Sequence, residues 1–466
     1  MTAHDTTGSQ VPLVKRTFVL GIINGAGFIF GWSLLNPSTV LPVLVKELMG
    51  EKMIYLGLMT WVMNSGWFWP QVLLQNVYET RPRKLAYYTL SAVVRTAAWA
   101  LITALLWWGQ TVPRPLIYSA LVVLLFIYTS GGGFGTTPFW DIVAKSIPAN
   151  RRSSFLGIRQ FLGGLLAIFV GGMLIRACLE PRPEWPFPRN YGVLALVGFV
   201  VITFALVAFC LVREPVRTVH SHHLPLRRQL RRGPRIFRRD SDVRGFIYVR
   251  ALATLAGALT FPFLFRFMTD ELNTPIAAAG YFTSVQMLSS TVSNIVWSYV
   301  GDRYGSRSLL QWTTVLVLAV PVAALAGSLL PTDPLFRLYG LVFSQQFLAM
   351  TGAFLLLGVA ATGQALAEIN YLMEIAPERK RPTYLGINAL VTTVLAASPV
   401  LGAMLIGDAR RFALGFWISA ALALGALYAA RRLRNPRDTS TPAEGETAEP
   451  EGEPVTAEPE EQLVGG

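Results

Sequence analysis

Apolar stretches of about 20 residues recur along the whole length of this chain. A helix of that length crosses the roughly 30 Å hydrocarbon core of a bilayer, so each stretch predicts a transmembrane span. The 14% share of charged residues agrees with this, because soluble domains carry about 25%. The chain is therefore predicted to be an all-α membrane protein. Twelve spans fit, at 18–45, 53–77, 85–108, 115–146, 153–177, 191–212, 245–268, 276–300, 309–330, 335–375, 382–407 and 412–431.

The positions of Lys and Arg indicate which side of the membrane each connection faces. Most of the 40 basic residues lie in the two termini and in the even-numbered connections between spans. Cytoplasmic loops accumulate these residues, so both termini are expected in the cytoplasm. We expect a multi-pass protein of the cell (inner) membrane. Cys178 and Cys210 lie in or at the end of apolar segments and are predicted to be packing residues.

The spans divide into two sets of six around a basic connection. Residues 1–212 are predicted to form one six-helix bundle and residues 245–431 a second. Residues 213–244 carry ten arginines and are predicted to be a cytoplasmic linker lying near anionic lipid headgroups. Nucleic-acid binding is the alternative, but no aromatic interleaving supports it. Residues 432–466 are rich in Glu and poor in apolar residues, which predicts a disordered acidic cytoplasmic tail.

Two internal similarities indicate that the second half repeats the first. WDIVAKSIPANRRSSFLGIRQ, from Trp140, matches NYLMEIAPERKRPTYLGIN, from Asn370. In this alignment Asp141 stands opposite Asn370. YETRPRK, from Tyr78, corresponds more weakly to VGDRYGSR, from Val300. Both members of the second pair fall in short connections predicted to be cytoplasmic.

The sequence GDRYGSR resembles the G-x-x-x-D-R-x-G-R-R loop signature of the major facilitator superfamily. The resemblance implies two bundles of six helices that rock about a central site and open it to alternate sides. It implies a loop that acts as a latch, with Asp302 accepting hydrogen bonds at a helix start. The residues that carry the signature are Gly301, Asp302, Arg303, Gly305 and Arg307, with a degraded first copy at Glu79, Arg83 and Lys84.

Asp141 and Arg159 stand in apolar runs on either side of a turn predicted near Asn150. Equal spacing from that turn places both side chains roughly 10 Å from the cytoplasmic ends of an antiparallel helix pair. Buried charges in membranes commonly pair with one another, so we predict an ion pair. Its role stays open between a structural gating contact and direct binding of substrate or protons. The repeat predicts an equivalent amide pair between Asn370 and Asn388.

Other polar residues lie on the helices that line the cavity in this superfamily. Each one also fits a contact between neighbouring helices, which is worth only about 1 kcal/mol. Arg250 and Glu368 are predicted to form an interhelical pair, while Arg95 is expected to anchor the first bundle. The amides and aromatic rings favour a neutral or zwitterionic substrate. The cavity candidates are Asn24, Trp32, Asn36, Asn64, Thr137, Gln286 and Gln364.

The resemblance implies a secondary active transporter for a small molecule. The alternative is a sensor or assembly factor that uses the same scaffold without transport. A sensor would need an output domain, and neither the linker nor the tail has the apolar content to fold as one. We expect no enzyme activity, cofactor, metal site or nucleic-acid partner, since no phosphate loop, nucleophile signature or metal-ligand spacing occurs. A monomer surrounded by membrane lipids is expected; coupling to protons is left open, with Asp141 and Glu368 as the first acids to test.

Overall fold

The fold comes from a computed structural model that describes residues 7–79, 82–215, 237–338, 340–376 and 381–436. Most of the predicted basic linker, the predicted acidic tail from residue 437 and the side chain of Glu79 lie outside the described residues. The first half contains α1 (Thr7–Ser33), α2 (Val40–Met49), α3 (Met53–Glu79), α4 (Leu85–Trp108), α5 (Arg114–Ser146), α6 (Ala149–Leu166), α7 (Gly172–Leu179) and α8 (Arg189–Cys210). The second contains α9 (Ser241–Thr260), α10 (Leu264–Asp270), α11 (Ala279–Ser328), α12 (Gln345–Ile375), α13 (Arg381–Leu395), α14 (Ser398–Ile406) and α15 (Phe412–Arg431).

These helices form twelve membrane crossings, as the sequence predicts. Ten stretches of the described chain are long and apolar enough to cross a bilayer. One of them is α11, which bends sharply at Gly305, and each of its arms exceeds the roughly 20 residues that a crossing needs. The 27-residue α3 supplies the remaining crossing. The chain is an all-α membrane protein of twelve helices in two bundles of six.

Several crossings consist of two helices in succession. The first consists of α1 and α2, separated by a break at 34–39, where the carbonyl of Asn36 accepts from the backbone N–H groups of Val40 and Leu41. The fifth joins α6 to α7 through a π-helical segment at Ala167–Gly171. In the seventh, α10 follows α9, and in the eleventh, α14 follows α13.

The predicted start of the tenth span is wrong. Instead of a helix, β1 (Pro334–Leu338) and β2 (Leu341–Ser344) pair there as an antiparallel hairpin. Gly340 at the turn has a φ of 73°, a conformation that glycine adopts without strain. The ring of Phe336 stacks on that of Phe343 with centroids 4.7 Å apart. Apolar content alone could not separate this hairpin from the helix after it.

The two ends of each crossing define two sides of the molecule. We call the side where α1 begins and α15 ends the terminal side, and the opposite one the far side. The first half packs around buried aromatic rings that include Trp99 and Tyr128, whose centroids are 4.7 Å apart. The second half packs around Phe282 and Phe354, with centroids 4.8 Å apart. Between the halves, α3 contacts α13 and α14, while α7 contacts α11.

Candidate transport pathway

An ion-pair network joins the two halves at the far side. Lys46 Nζ lies 2.5 Å from Asp270 and 3.4 Å from Glu51. The guanidinium of Arg266 lies 2.6 Å from Glu51 and 2.9 Å from Asp270, and Arg410 lies 3.2 Å from Glu51. The side chain of Asp270 is fully buried. These five residues, the far-side cluster, bring two residues of the first half together with three of the second.

Neutral polar contacts continue the far-side junction toward the membrane centre. The hydroxyls of Thr39 and Thr283 are 2.5 Å apart, and the Asn36 amide donates to Gln286 Oε1 at 3.2 Å. Asn36 and Gln286 were both predicted to line a cavity. Here they bind each other across the halves, and their role as cavity residues stays a prediction. The polar contacts that join the halves within the described residues gather at this end.

The sequence did not predict the far-side cluster. Its partners lie far apart in the chain, 224 residues in the case of Lys46 and Asp270. A signal was nevertheless present, since Arg266 and Asp270 are one helical turn apart in the otherwise apolar LFRFMTD. Charged residues in such a run require partners. The sequence alone could not say that those partners belong to the other half.

A cavity of about 330 Å³ lies between the halves. We call it the central cavity. Asn64 of α3 lines it from the first half, whereas Gln364 and Glu368 line it from α12. The structure places Asn64 and Gln364 on this surface, and their contact with substrate stays a prediction. The remaining lining is mostly small and apolar, from α9, α13 and α14.

The predicted pairing of Arg250 with Glu368 is confirmed. Their charged groups are 3.2 Å apart, linking α9 to α12 at the edge of the central cavity. The guanidinium of Arg250 also donates to the side-chain oxygen of Asn388, on α13. Gln364 donates to Glu368 at 3.2 Å from one turn earlier in α12. The four side chains form a polar group that connects three helices of the second half.

The predicted ion pair between Asp141 and Arg159 is wrong. Asp141 instead binds Lys84 at 2.8 Å and Lys145 at 2.5 Å. The reason is depth: α5 ends at Ser146 and α6 begins at Ala149, so Asp141 lies five residues from its helix end and Arg159 ten. At 1.5 Å per residue their depths differ by about 7 Å. The turn had been placed too late in the sequence.

The predicted contact between Asn370 and Asn388 also gives way to other contacts. Asn388 is engaged by Arg250, as described above. Asn370 is exposed near the end of α12, where its amide lies next to Gly301. The two halves share a fold, but their side-chain partners at these positions are not conserved between them.

The loop signature ties neighbouring helix ends together in both halves. In the first half, Glu214 accepts hydrogen bonds at 2.7 Å from the backbone N–H groups of Lys84 and Leu85, and so caps the start of α4. The same carboxylate binds Lys145 at 3.1 Å. Lys84 completes this latch through Asp141.

In the second half, different residues perform the same task. Ser306 donates to Glu374 at 2.5 Å, and Arg307 donates to the carbonyl of Arg431 at 2.8 Å. Asp302 and Arg303 lie exposed on α11 just before its bend at Gly305, and the proposed capping role of Asp302 stays a prediction. Arg83 is exposed as well, so Lys84 is the basic residue of the first copy that enters the latch.

A second cavity, of about 220 Å³, lies within the first half and contains two arginines. Arg95 of α4 and Arg159 of α6 both line it, together with Asn24 and Tyr88. Asn24 donates to the Tyr88 hydroxyl at 3.0 Å and to the carbonyl of Ala205 at 2.9 Å, so it also holds helices together. We call this cavity the arginine pocket. The sequence predicted that Arg95 anchors its bundle. It did not predict that Arg95 and Arg159 line the same cavity.

The last two predicted cavity residues lie near the arginine pocket without lining it. Trp32 stacks on Tyr128 with centroids 5.6 Å apart and contacts Trp67 edge-on. Thr137 is half-buried, while its neighbour Thr136 lines the pocket. Among the described residues, no group of three or more His, Cys, Asp and Glu side chains is arranged to hold a metal ion.

Comparisons with known proteins agree with this architecture. The family model of the Major Facilitator Superfamily matches residues 246–459. Uncharacterised proteins of Mycobacterium tuberculosis (strain ATCC 25618 / H37Rv) and Mycobacterium bovis (strain ATCC BAA-935 / AF2122/97) are 24% identical over 444 residues, which is 92% of this chain and 78% of each relative.

Solved transporter structures share the fold over nearly the whole chain. The nucleoside transporter NupG has a TM-score of 0.66 at 13% identity, covering 90% of this chain and 99% of its own. A bacterial homologue of the iron transporter ferroportin in an inward-facing state has a TM-score of 0.63 at 13% identity, covering 91% and 98%. At such low identity the likeness concerns the fold. Together with the twelve crossings, these matches show that the chain has the fold of these transporters and that its second half is similar to the Major Facilitator Superfamily model.

Proposed function

We propose that this protein is a secondary active transporter that carries a small molecule across the cell membrane by alternating access. The observation that carries the proposal is the position of the central cavity, which lies between two halves that the far-side cluster holds together. Opening the cavity to the far side requires those halves to part. In this proposal the terminal side faces the cytoplasm, and a single protein chain performs the cycle.

The chemistry of the far-side cluster suits a junction that opens and closes. Burying an ion pair costs desolvation energy that largely offsets the attraction between its charges. When the halves part, Lys46, Arg266 and Asp270 lose partners but regain water. The net free-energy difference between the closed and open junction can therefore stay small, as a transporter that alternates between two states requires.

Within this proposal, Glu368 is the acid suited to proton coupling. Its carboxylate lines the central cavity, and protonation would remove the charge that pairs with Arg250. Arg250 would keep its contact with Asn388, so the helices would stay connected while their interaction changed. Asp141 is less suited, because its carboxylate is bound by two lysines and does not line the central cavity. We expect Glu368→Gln to retain substrate exchange and lose accumulation driven by a pH gradient.

The alternative, a non-transporting sensor or assembly factor, would use the same scaffold without flux. A reversible cross-link distinguishes the two. Thr39→Cys and Thr283→Cys, placed where the native hydroxyls are 2.5 Å apart, should form a disulfide across the halves. The variant is made with Cys178 and Cys210 replaced by alanine and is reconstituted in liposomes. A thermal-shift panel of metabolites first identifies a ligand for it.

Exchange of that ligand across the liposome membrane then gives the answer. Oxidation should stop exchange in the double-cysteine protein, and reduction should restore it, while either single-cysteine protein should be unaffected. Exchange that continues at full rate through the oxidised protein would contradict alternating access at this junction. A stabilising ligand that is never exchanged would favour the sensor.

A further inference from the structure

We propose that the arginine pocket binds the oxyanion group of a small organic anion, and that this anion belongs to the substrate. The inference rests on the proposed transport function and names its substrate class. It revises the sequence-based preference for a neutral or zwitterionic substrate, which counted amides but did not bring Arg95 and Arg159 together. Four observations support it: missing counter-ions, unused hydrogen-bond donors, aromatic walls and cavity size.

The first observation is a charge imbalance. Two guanidinium groups line the pocket, and none of its lining residues carries a carboxylate. Asp141, the next residue after the lining Trp140, is bound by Lys84 and Lys145. By contrast, Arg250 in the second half has Glu368 as its counter-ion. Two unpaired positive charges within a membrane bundle are costly, and a bound anion would offset that cost.

The second observation concerns donors. A guanidinium has five N–H donors and is always charged. Arg95 is 6% exposed and donates to the Tyr128 hydroxyl at 3.0 Å, but its Nε is buried without a partner. Arg159 makes no ion pair with any side chain that the structure describes. Carboxylate and phosphate groups accept two parallel bonds from such a fork.

The third observation is the aromatic surround. The guanidinium of Arg95 lies 5.0 Å from the ring of Phe28 and 5.7 Å from that of Trp67. Arg159 lies 4.8 Å from the ring of Phe139. Cation–π contacts reduce the cost of burying these charges without neutralising them. The same rings offer flat apolar surface to the body of a ligand.

The fourth observation is size. At about 220 Å³, the pocket is smaller than the roughly 300–1,000 Å³ that drug-sized ligands occupy. It fits a small organic anion, or the anionic end of a longer one. A flat ring carrying one carboxylate or phosphate has the matching chemistry. We therefore choose benzoate and phenyl phosphate as probes.

Binding to the purified full-length protein tests the inference. Thermal unfolding is followed with benzoate, phenyl phosphate, inorganic phosphate and the neutral analogue benzamide. We expect benzoate and phenyl phosphate to raise the midpoint with increasing concentration, because a ligand that binds the folded state stabilises it. Benzamide should have no effect. Inorganic phosphate should bind more weakly, since it lacks an apolar body.

Arginine variants assign any binding to the pocket. Arg159→Gln and Arg95→Gln should each weaken benzoate binding at least about tenfold, as expected for the loss of a charged hydrogen-bond partner. The benzoate affinity of Arg159→Lys should lie between those of the parent and Arg159→Gln. Lysine keeps the positive charge but lacks the planar pair of N–H donors of arginine. Arg16→Gln, at an exposed arginine of the same half, is the matched control and should bind normally.

A second measurement covers variants that fail to fold. Without ligand, Arg159→Gln should unfold at the same or a higher temperature than the parent, because it removes an unpaired buried charge. A structural role would lower that temperature. Binding that is absent for all three anions, unchanged in the Arg159→Gln protein, or equally strong for benzamide would overturn the inference. If cross-linking at Thr39 and Thr283 still stops exchange of another solute, the transport proposal survives that result.

Discussion

At the residue scale, one of the two ion pairs predicted between buried charges forms and the other does not. Arg250 and Glu368 were predictable as a pair because both lie well inside apolar runs and no other acid of the second half is as deep. Asp141 and Arg159 met the same description and do not pair. An error of a few residues in the turn position moved one side chain by about 7 Å. Sequence reasoning can therefore identify which charges need partners more reliably than it can match them.

The Arg250–Glu368 pair should show strong energetic coupling. Arg250→Met or Glu368→Met leaves one buried charge alone, which costs about 3–5 kcal/mol of folding free energy. The double variant removes both charges and should be more stable than either single one. Unfolding by SDS in mixed micelles measures the four proteins of the cycle. Free-energy changes that simply add would show that the two groups do not interact.

Asp141 should couple to Lys84 and not to Arg159. Asp141→Asn removes the counter-ion of Lys84, so adding Lys84→Gln should recover part of the lost stability. Adding Arg159→Asn should instead change stability independently, within about 0.5 kcal/mol of the sum of the single changes. The same unfolding assay compares both cycles. A coupling free energy of several kcal/mol between Asp141 and Arg159 would show that these two residues form an ion pair, which contradicts the structure.

At the element scale, apolar runs predicted the helices well, because burial in lipid requires about 20 apolar residues whatever their order. The fourth and twelfth spans illustrate this: predicted at 115–146 and 412–431, they are found at Arg114–Ser146 and Phe412–Arg431. The hairpin before α12 was missed because its strands are apolar too. The bend of α11 at Gly305 was predicted as a loop, yet the helix continues almost directly on both sides.

Of the two glycines in the loop signature, Gly305 should be the one whose replacement destabilises the protein. Its φ of 84° and ψ of 165° define a conformation that is essentially restricted to glycine. Gly305→Ala should therefore cost about 1–3 kcal/mol of stability, measured as a lowered unfolding midpoint and folded yield. Gly301→Ala is the matched control: Gly301 is helical, and an added methyl would make only ordinary contacts. Equal effects at both positions would contradict the backbone argument.

At the scale of the whole molecule, the superfamily fold was predictable from one loop signature and an internal repeat, because both report on the duplicated architecture. How the halves meet was not predictable. Lys46 and Glu51 carry no sign in the sequence that they bind Arg266, Asp270 and Arg410. The arginine pocket was equally hidden, since Arg95 of α4 and Arg159 of α6 line one cavity only in the folded bundle. Such contacts depend on the relative rotation of helices, which hydropathy does not record.

Access of a single cysteine to the central cavity tests the central claim of alternating access most directly and needs no substrate. Asn64→Cys, in a protein lacking Cys178 and Cys210, places one thiol on the cavity wall near mid-membrane. In oriented proteoliposomes, a membrane-impermeant maleimide should modify this thiol from either side. Cross-linking Thr39→Cys to Thr283→Cys before reaction should abolish modification from the far side and preserve it from the terminal side. A thiol that reacts equally from the far side with and without the cross-link, or that the cross-link hides from both sides, would contradict the account.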